Sequence, residues 1–192
     1  MLEGPLLRLR RADKSDIPEL SRWFLDSELC TYLSGSPLDS PEETQKRLSM
    51  LIPGMGTYNE DMYMVFEDKE GGKVGFCVLQ EIDWKNHSLM YNLAIANAED
   101  RGRNLGAHML VLSYRFIFHE LGMHTAVNQV HGFNKRMIRL AEAFLSLAGN
   151  QPAGRLRQHV VRGGRYHDSI IYCITREEFE VITRHPDFKA YL

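Results

Sequence analysis

The chain has 192 residues, 44% hydrophobic and 25% charged, the balance of an ordinary globular domain with enough chain to bury a real core. A net charge of -2 gives no sign of the clustered basic face of a nucleic-acid binder, and three scattered cysteines (Cys30, Cys77, Cys173) without a CxxC argue against a disulfide framework or cysteine-rich zinc site. No apolar run approaches membrane-spanning length, and MLEGPLLRLRR lacks the long apolar core of a secretion signal. The expectation is one domain over residues 1–192, cytoplasmic, with no membrane or nucleic-acid partner.

In chain order, LLRLRR (Leu6–Arg11) alternates as a first strand. Asp16, with Glu19 three residues on, predicts a capped helix whose Ile17, Leu20, Trp23 and Phe24 share one face. TYLSGSPLD is a loop. SPEE opens a second helix with Ser40 as cap, Pro41 at the first helical position and Glu43 closing the box, and that helix ends at Pro53-Gly54. The period then changes: MYMVFE (Met62–Glu67) and KVGFCVLQE (Lys73–Glu81) flank DKEGG as an antiparallel hairpin, and SLMYNLAIA (Ser88–Ala96) follows as a third strand. AHMLVLSYRFIFHELG, apolar nearly all round, is a buried helix closed by Gly122. HTAVNQV is a short strand, NKRMIRLAEAFLSLAG a helix ended by Gly149, and GRLRQHVV pairs with YHDSIIYCIT across RGG. The strand–helix–strand crossover in the middle demands a parallel pair. The fold class is therefore α/β (α+β): a mixed, mostly antiparallel sheet of six to seven strands with helices on both faces.

EDRGRNLGAHML (Glu99–Leu110) sets two arginines and two glycines before the buried helix. One reading is a plain connection shaped by Gly102 and Gly106. The other is an anion site: N–H groups at a helix start lack internal partners, the macrodipole adds positive charge, and Arg101 and Arg103 add more. A P-loop is excluded because LGAH stands where Gly-Lys-Ser/Thr is needed. A dinucleotide fingerprint is excluded because RGRNLG is not GxGxxG and no acid ends the next strand.

The segment resembles the cofactor motif of the GNAT acetyltransferase superfamily, Arg/Gln-x-x-Gly-x-Gly/Ala, with Asn104 in place of the first motif glycine. Asparagine tolerates left-handed backbone geometry, so the loop survives the change. FHELGMHTAVNQVHGFNKRMIRLAE, GRLRQHVVRGGRYHD, SPEE and EIDWKNHS extend the resemblance over nearly the whole chain, toward the branch that includes ribosomal-protein N-terminal acetyltransferases. The resemblance implies a pyrophosphate of acetyl-CoA on the N–H groups of Arg101, Gly102, Arg103, Asn104, Leu105, Gly106 and Ala107. It also implies pantetheine against the backbone of Leu93, Ala94 and Ile95, a cofactor contact from Asn134, an amine acceptor and no metal; a homodimer is left open.

Acetyl transfer needs a neutral amine, and a lysine-like amine with a pKa of about 10.4 is neutral roughly once in a thousand molecules at pH 7. The family's base and acid positions hold other residues here: Met90 or Tyr91 where many members have a glutamate, Ala141 where many have a tyrosine, and Met137 where some have a serine. Tyr91 and Glu81 are the candidate catalytic substitutes, with His131 a further one. Each also has a plain structural reading: a tethered core hydroxyl, a solvated strand end and a turn histidine. Tyr32 and Tyr58 are candidate walls of the acceptor site. The leading function is an N-acetyltransferase acting on a protein N-terminus, small amine or amino-sugar nucleotide. Its rivals are a CoA-binding module without catalysis and an interaction domain without a cofactor.

Overall fold

A computed structural model of the protein describes residues 1–32, 40–52, 61–186 and 188. Its strands are β1 (Leu2–Glu3), β2 (Leu7–Arg11), β3 (Met62–Asp68), β4 (Lys73–Asp83), β5 (Ser88–Ile95), β6 (Thr125–His131), β7 (Gly154–Arg162) and β8 (Arg165–Thr175). They form one eight-stranded sheet in the order β1-β2-β3-β4-β5-β6-β8-β7. Seven expected strands are present, and the eighth is the two-residue β1, too short to show a period, paired with Arg8 and Leu9. Every pairing is antiparallel except β5 with β6, the parallel pair that the crossover demanded.

The described helices are α1 (Ile17–Leu25), α2 (Ser27–Cys30), α3 (Pro41–Leu51), α4 (Leu105–Arg115), α5 (Lys135–Leu147) and α6 (Arg176–Arg184). None is long and apolar enough to cross a membrane. Leu20, Trp23, Leu29 and Leu48 bring α1, α2 and α3 onto one face of the sheet, over Tyr63, Val65, Phe76 and Val78. Leu105, Met109, Phe144 and Phe179 bring α4, α5 and α6 onto the other, over Leu9, Phe66, Leu79 and Tyr91. With both faces covered, β3 is buried from Met62 through Phe66, which explains its unbroken apolar run.

The entry to α1 differs from expectation. A 3₁₀ turn (Lys14–Asp16) precedes it, and the capping box is Asp13 with Asp16. Asp16 itself makes no side-chain cap to α1; its carboxylate is fully buried and takes Arg10 at 2.6 Å and Lys73 at 2.7 Å. Burial alone would push the Asp16 carboxyl up, but hydrogen bonds from Arg10, Lys73 and the Asp13 N–H outweigh it and hold it well below the usual carboxylate range. Ser40 caps α3 as its sequence indicates, accepting from the Glu43 N–H. The expected loop TYLSGSPLD lies largely outside the described residues, as do the expected helix end at Pro53-Gly54 and Tyr58.

Three features were not foreseen. The helix begun by α4 widens to π-helical spacing over Phe116–Glu120, where Phe118 stacks on Tyr114 at 5.7 Å and meets Phe179 at 5.5 Å. Phe179 belongs to α6, whose sequence signal is TREE: Thr175 and Glu178 form a full capping box. Finally, β4 bulges between Gln80 and Asp83, with Glu81 exposed in the left-handed region at φ 50°.

Candidate functional site: a fork in the sheet

The parallel pairing of β5 with β6 lasts three residues, Ser88–Met90 against Thr125–Val127, and the strands then part. At the fork the Asn128 side chain takes over from the ladder, its Nδ2 donating to the Tyr91 carbonyl at 2.6 Å. Along β5 the even-numbered residues bond toward β4, as Ala96 does to Val74 at 2.9 Å. The pleat therefore turns the N–H and C=O groups of Leu93 and Ile95 toward the gap, where no strand among the described residues meets them.

That gap opens into a groove of about 780 Å³. Leu93, Ala94 and Ile95 form its floor, and Arg101, Gly102 and the stretch from Asn104 to Ala107 close one end. Asn134 and α5 form the opposite wall. Ten of the expected cofactor-binding residues are thus brought together; Arg103 is not among the lining, and its guanidinium pairs with Asp100 at 2.6 Å.

The closed end is built as an anion site requires. Asn104 holds the left-handed conformation (φ 60°, ψ 15°) in which the motif glycine was missed, and Gly102 sits at φ 90°. The start of α4 receives no side-chain cap, which leaves its leading N–H groups without the partner a cap would supply, at a helix start that lines the groove. A Cβ on Gly106 would stand 3.5 Å from Leu140 and 4.0 Å from Ile95, so this glycine keeps the space between α4 and α5 open. Asn134 caps α5 by accepting from the Met137 N–H, and it lines the groove as well. Arg101 reaches the groove while paired to Glu28 at 2.8 Å.

Three cations that the sequence reading passed over, Lys135, Arg136 and Arg139, also line the groove. With Arg101 they set four cationic side chains against Glu28, the single carboxylate among the described lining residues. Their signal was in NKRMIR, where Lys135 and Arg139 are one helical turn apart. At the rim, Tyr32 lies 6.0 Å from Phe133, and Arg162 at the tip of the β7–β8 hairpin stands over both rings, at 5.2 and 4.7 Å.

The candidate catalytic residues lie apart from this lining. Tyr91 points to the α4 face, only 2% exposed, its hydroxyl 2.6 Å from that of Tyr114. Burial, and then Tyr114, push the Tyr91 hydroxyl well above its ordinary pKa. Glu81 is exposed at the bulge, and His131 is buried with its Nδ1 3.2 Å from the Ser169 hydroxyl. Met137 lines the groove and Ala141 is buried under α5. Among the described residues no His, Cys, Asp or Glu side chains are grouped as a metal ion would need.

Sequence and structure comparisons agree with this architecture. Residues 7–144 match the family model of the acetyltransferase (GNAT) domain. A curated relative, the SPbeta prophage-derived uncharacterized N-acetyltransferase YokL of Bacillus subtilis (strain 168), is 30% identical over 122 residues, 64% of this chain and 66% of its own length. The spermidine N-acetyltransferase of Vibrio cholerae in complex with CoA and spermine superposes with a TM-score of 0.80 at 21% identity, over 91% of this chain and 98% of that one. The spermidine/spermine N-acetyltransferase SpeG of Vibrio cholerae in complex with manganese ions gives 0.74 at 20% identity, over 91% and 95%. These two likenesses concern the fold. A mixed sheet with helices on both faces is thus a fold that this chain shares with N-acetyltransferases. The chain belongs to the GNAT acetyltransferase family, whose members are acetyl-CoA-dependent N-acetyltransferases.

Proposed function

We propose that this protein transfers the acetyl group of acetyl-CoA to a primary amine: a protein N-terminus, a small amine or an amino-sugar nucleotide. One observation carries the reading. The unpaired edge of β5 at Leu93 and Ile95 leads directly to the uncapped, glycine-lined start of α4, as a ligand with an amide-bearing arm and a pyrophosphate head requires. The N–H groups from Arg101 to Ala107 hold the pyrophosphate, with Arg101 and the α5 cations neutralising it. Leu93 and Ile95 pair with the arm, and Asn134 completes the wall. The Vibrio cholerae relatives named for spermidine support an amine as acceptor.

In the transfer, the amine nitrogen bonds to the acetyl carbon, the C–S bond breaks with its electron pair on sulfur, and the surplus proton on nitrogen passes to the thiolate or to water. Of the two N–H groups turned into the gap, that of Leu93, nearer the fork, is the donor for the oxygen that gains charge, and the arm pairs with its carbonyl and with Ile95. Among the described residues that line the groove, Glu28 is the one carboxylate, and it is paired with Arg101. Transfer therefore rests mainly on positioning an amine that arrives neutral, and the rate climbs with pH as the acceptor deprotonates.

The apolar Met137 and Ala141 at the family's acid positions favour a second reading, a CoA-binding module without catalysis. Thiol release from acetyl-CoA, screened over peptides, small amines and amino-sugar nucleotides, separates the two. The transferase gives release above background with at least one class. A module gives none, while CoA still raises the melting temperature.

A further inference from the structure

On the α1–α3 face of the sheet, the apolar cluster stops abruptly. Its last members are Tyr63 on β3, Val78 on β4 and Ala94 on β5. The next residue on that face of β4 and of β5 is Gln80 and Asn92, and the residue two before Tyr63 is Asp61. These three polar side chains are joined in a row. Gln80 Nε2 donates to Asp61 Oδ2 at 3.3 Å, and Asn92 Nδ2 donates to Gln80 Oε1 at 2.9 Å.

The row has one direction only. An ionised carboxylate only accepts, so Asp61 turns the Gln80 amide to present Nε2. The Gln80 oxygen then faces Asn92 and turns its amide in the same sense. This leaves Asn92 Oδ1 as the outer end of the relay, and no described residue donates to it. Asn92 is the residue between Tyr91, whose carbonyl marks the fork, and Leu93, the first floor residue of the groove. Its β4 side is taken by Gln80, so the oxygen is presented on the fork side of β5.

We infer that Asn92 Oδ1 is the acceptor that receives an N–H of the attacking amine, with Gln80 and Asp61 as the positioning residues that fix its orientation. The assignment rests on the transferase reading above and deepens it. As the C–N bond forms, the nitrogen becomes positive and its N–H groups more acidic. A hydrogen bond to Asn92 Oδ1 therefore strengthens during the reaction and favours the transition state over bound substrate. The Asp61 charge at the far end polarises the relay in the same sense. Asn92 takes no proton away; it aims the lone pair.

The test uses the full chain, acetyl-CoA, and two acceptors: n-butylamine, which carries little beyond the reacting group, and the fastest amine of the thiol-release screen. Asn92→Leu, close in volume, loses roughly 10- to 100-fold in kcat/KM for both amines, with KM for acetyl-CoA unchanged. Asn92→Asp keeps an acceptor oxygen at the fork and stays within about tenfold of the parent, although its carboxylate near Asp61 lowers the melting temperature more than leucine does. A packing role predicts the opposite order. Gln80→Met, which releases the orientation, loses roughly 3- to 10-fold in kcat at unchanged KM for acetyl-CoA. If Asn92→Leu does not fold, Gln80→Met decides alone. Full rate in either leucine or methionine variant overturns the assignment and leaves the transferase reading standing, as does a loss confined to KM for acetyl-CoA. No release with any amine, while CoA still stabilises the protein, overturns both.

Discussion

The two ends of the groove are built by different means. At the end proposed for the anion the working groups are backbone N–H atoms, set by Asn104 and Gly102 in left-handed conformations and by the uncapped start of α4. At the fork they are side-chain amides: Asn128 bridging to Tyr91, and Asn92 aligned through Gln80 to Asp61. A backbone site is local, because a few consecutive residues determine it. A side-chain site is assembled from separate strands, here β3 or its approach, β4, β5 and β6. The first tolerates exchange of most side chains so long as space and φ are kept; the second changes with each amide it loses.

That contrast yields three further experiments, from the largest expected effect to the smallest. Loosening the frame that both ends share comes first. Asp16→Asn leaves Arg10 and Lys73 facing a neutral amide and costs roughly 3–5 kcal/mol by urea or thermal unfolding. The sign with pH follows from the depressed carboxyl. Its contribution is complete above the ordinary carboxylate range of about 4 and is lost as pH falls through the lower folded value, while Arg10 stays charged. The acid limb of the parent's stability curve is accordingly steeper than that of the variant; parallel limbs would show that Asp16 is not the group responsible.

Next is Gly106→Val, which fills the space between Leu140 and Ile95. CoA affinity, read by calorimetry, falls by roughly 30- to 100-fold, about 2–3 kcal/mol, with the fold retained. A variant that binds CoA as the parent does would break the contrast, because the anion end would then not depend on backbone access.

The smallest effect separates the two loop arginines. Arg101 lines the groove, whereas Arg103 lies outside the lining and pairs with Asp100. Arg101→Ala weakens CoA binding by about 1–2 kcal/mol, and less at high salt, whereas Arg103→Ala changes it by a few tenths. Equal losses would place both guanidiniums on the phosphates.

The same contrast explains what the sequence disclosed. Arg101-Gly102-Arg103-Asn104-Leu105-Gly106 is contiguous, and the chemistry of a helix start can be read from six letters. Periodicity and turn signals likewise located seven of the strands, β3 by its unbroken apolar run and the exposed β7 by the RGG turn that joins it to β8. Asn128 carries a weaker trace: it stands between Ala126 and Val130 on the buried side of TAVNQVH, a polar residue where the alternation asks for an apolar one. Asp61, Gln80 and Asn92 leave no trace of joint purpose, since 31 positions separate the first from the last and only the register of β3, β4 and β5 aligns them. The Asp16 box was misread for a related reason. A capping pattern is visible one turn at a time, but the arrival of Arg10 and Lys73 from neighbouring strands is not.

The short seam between β5 and β6 has a mechanical consequence. Within the sheet, everything from β1 to β5 is joined to β6, β8 and β7 by three residue pairs and the Asn128 amide. The sheet is thus two panels on a short hinge. A ligand laid along Leu93 and Ile95 becomes a structural member that stiffens the joint as it fills the gap. In the proposed binding mode, occupancy therefore sets rigidity as well as chemistry, because the ligand supplies the pairing that the seam lacks.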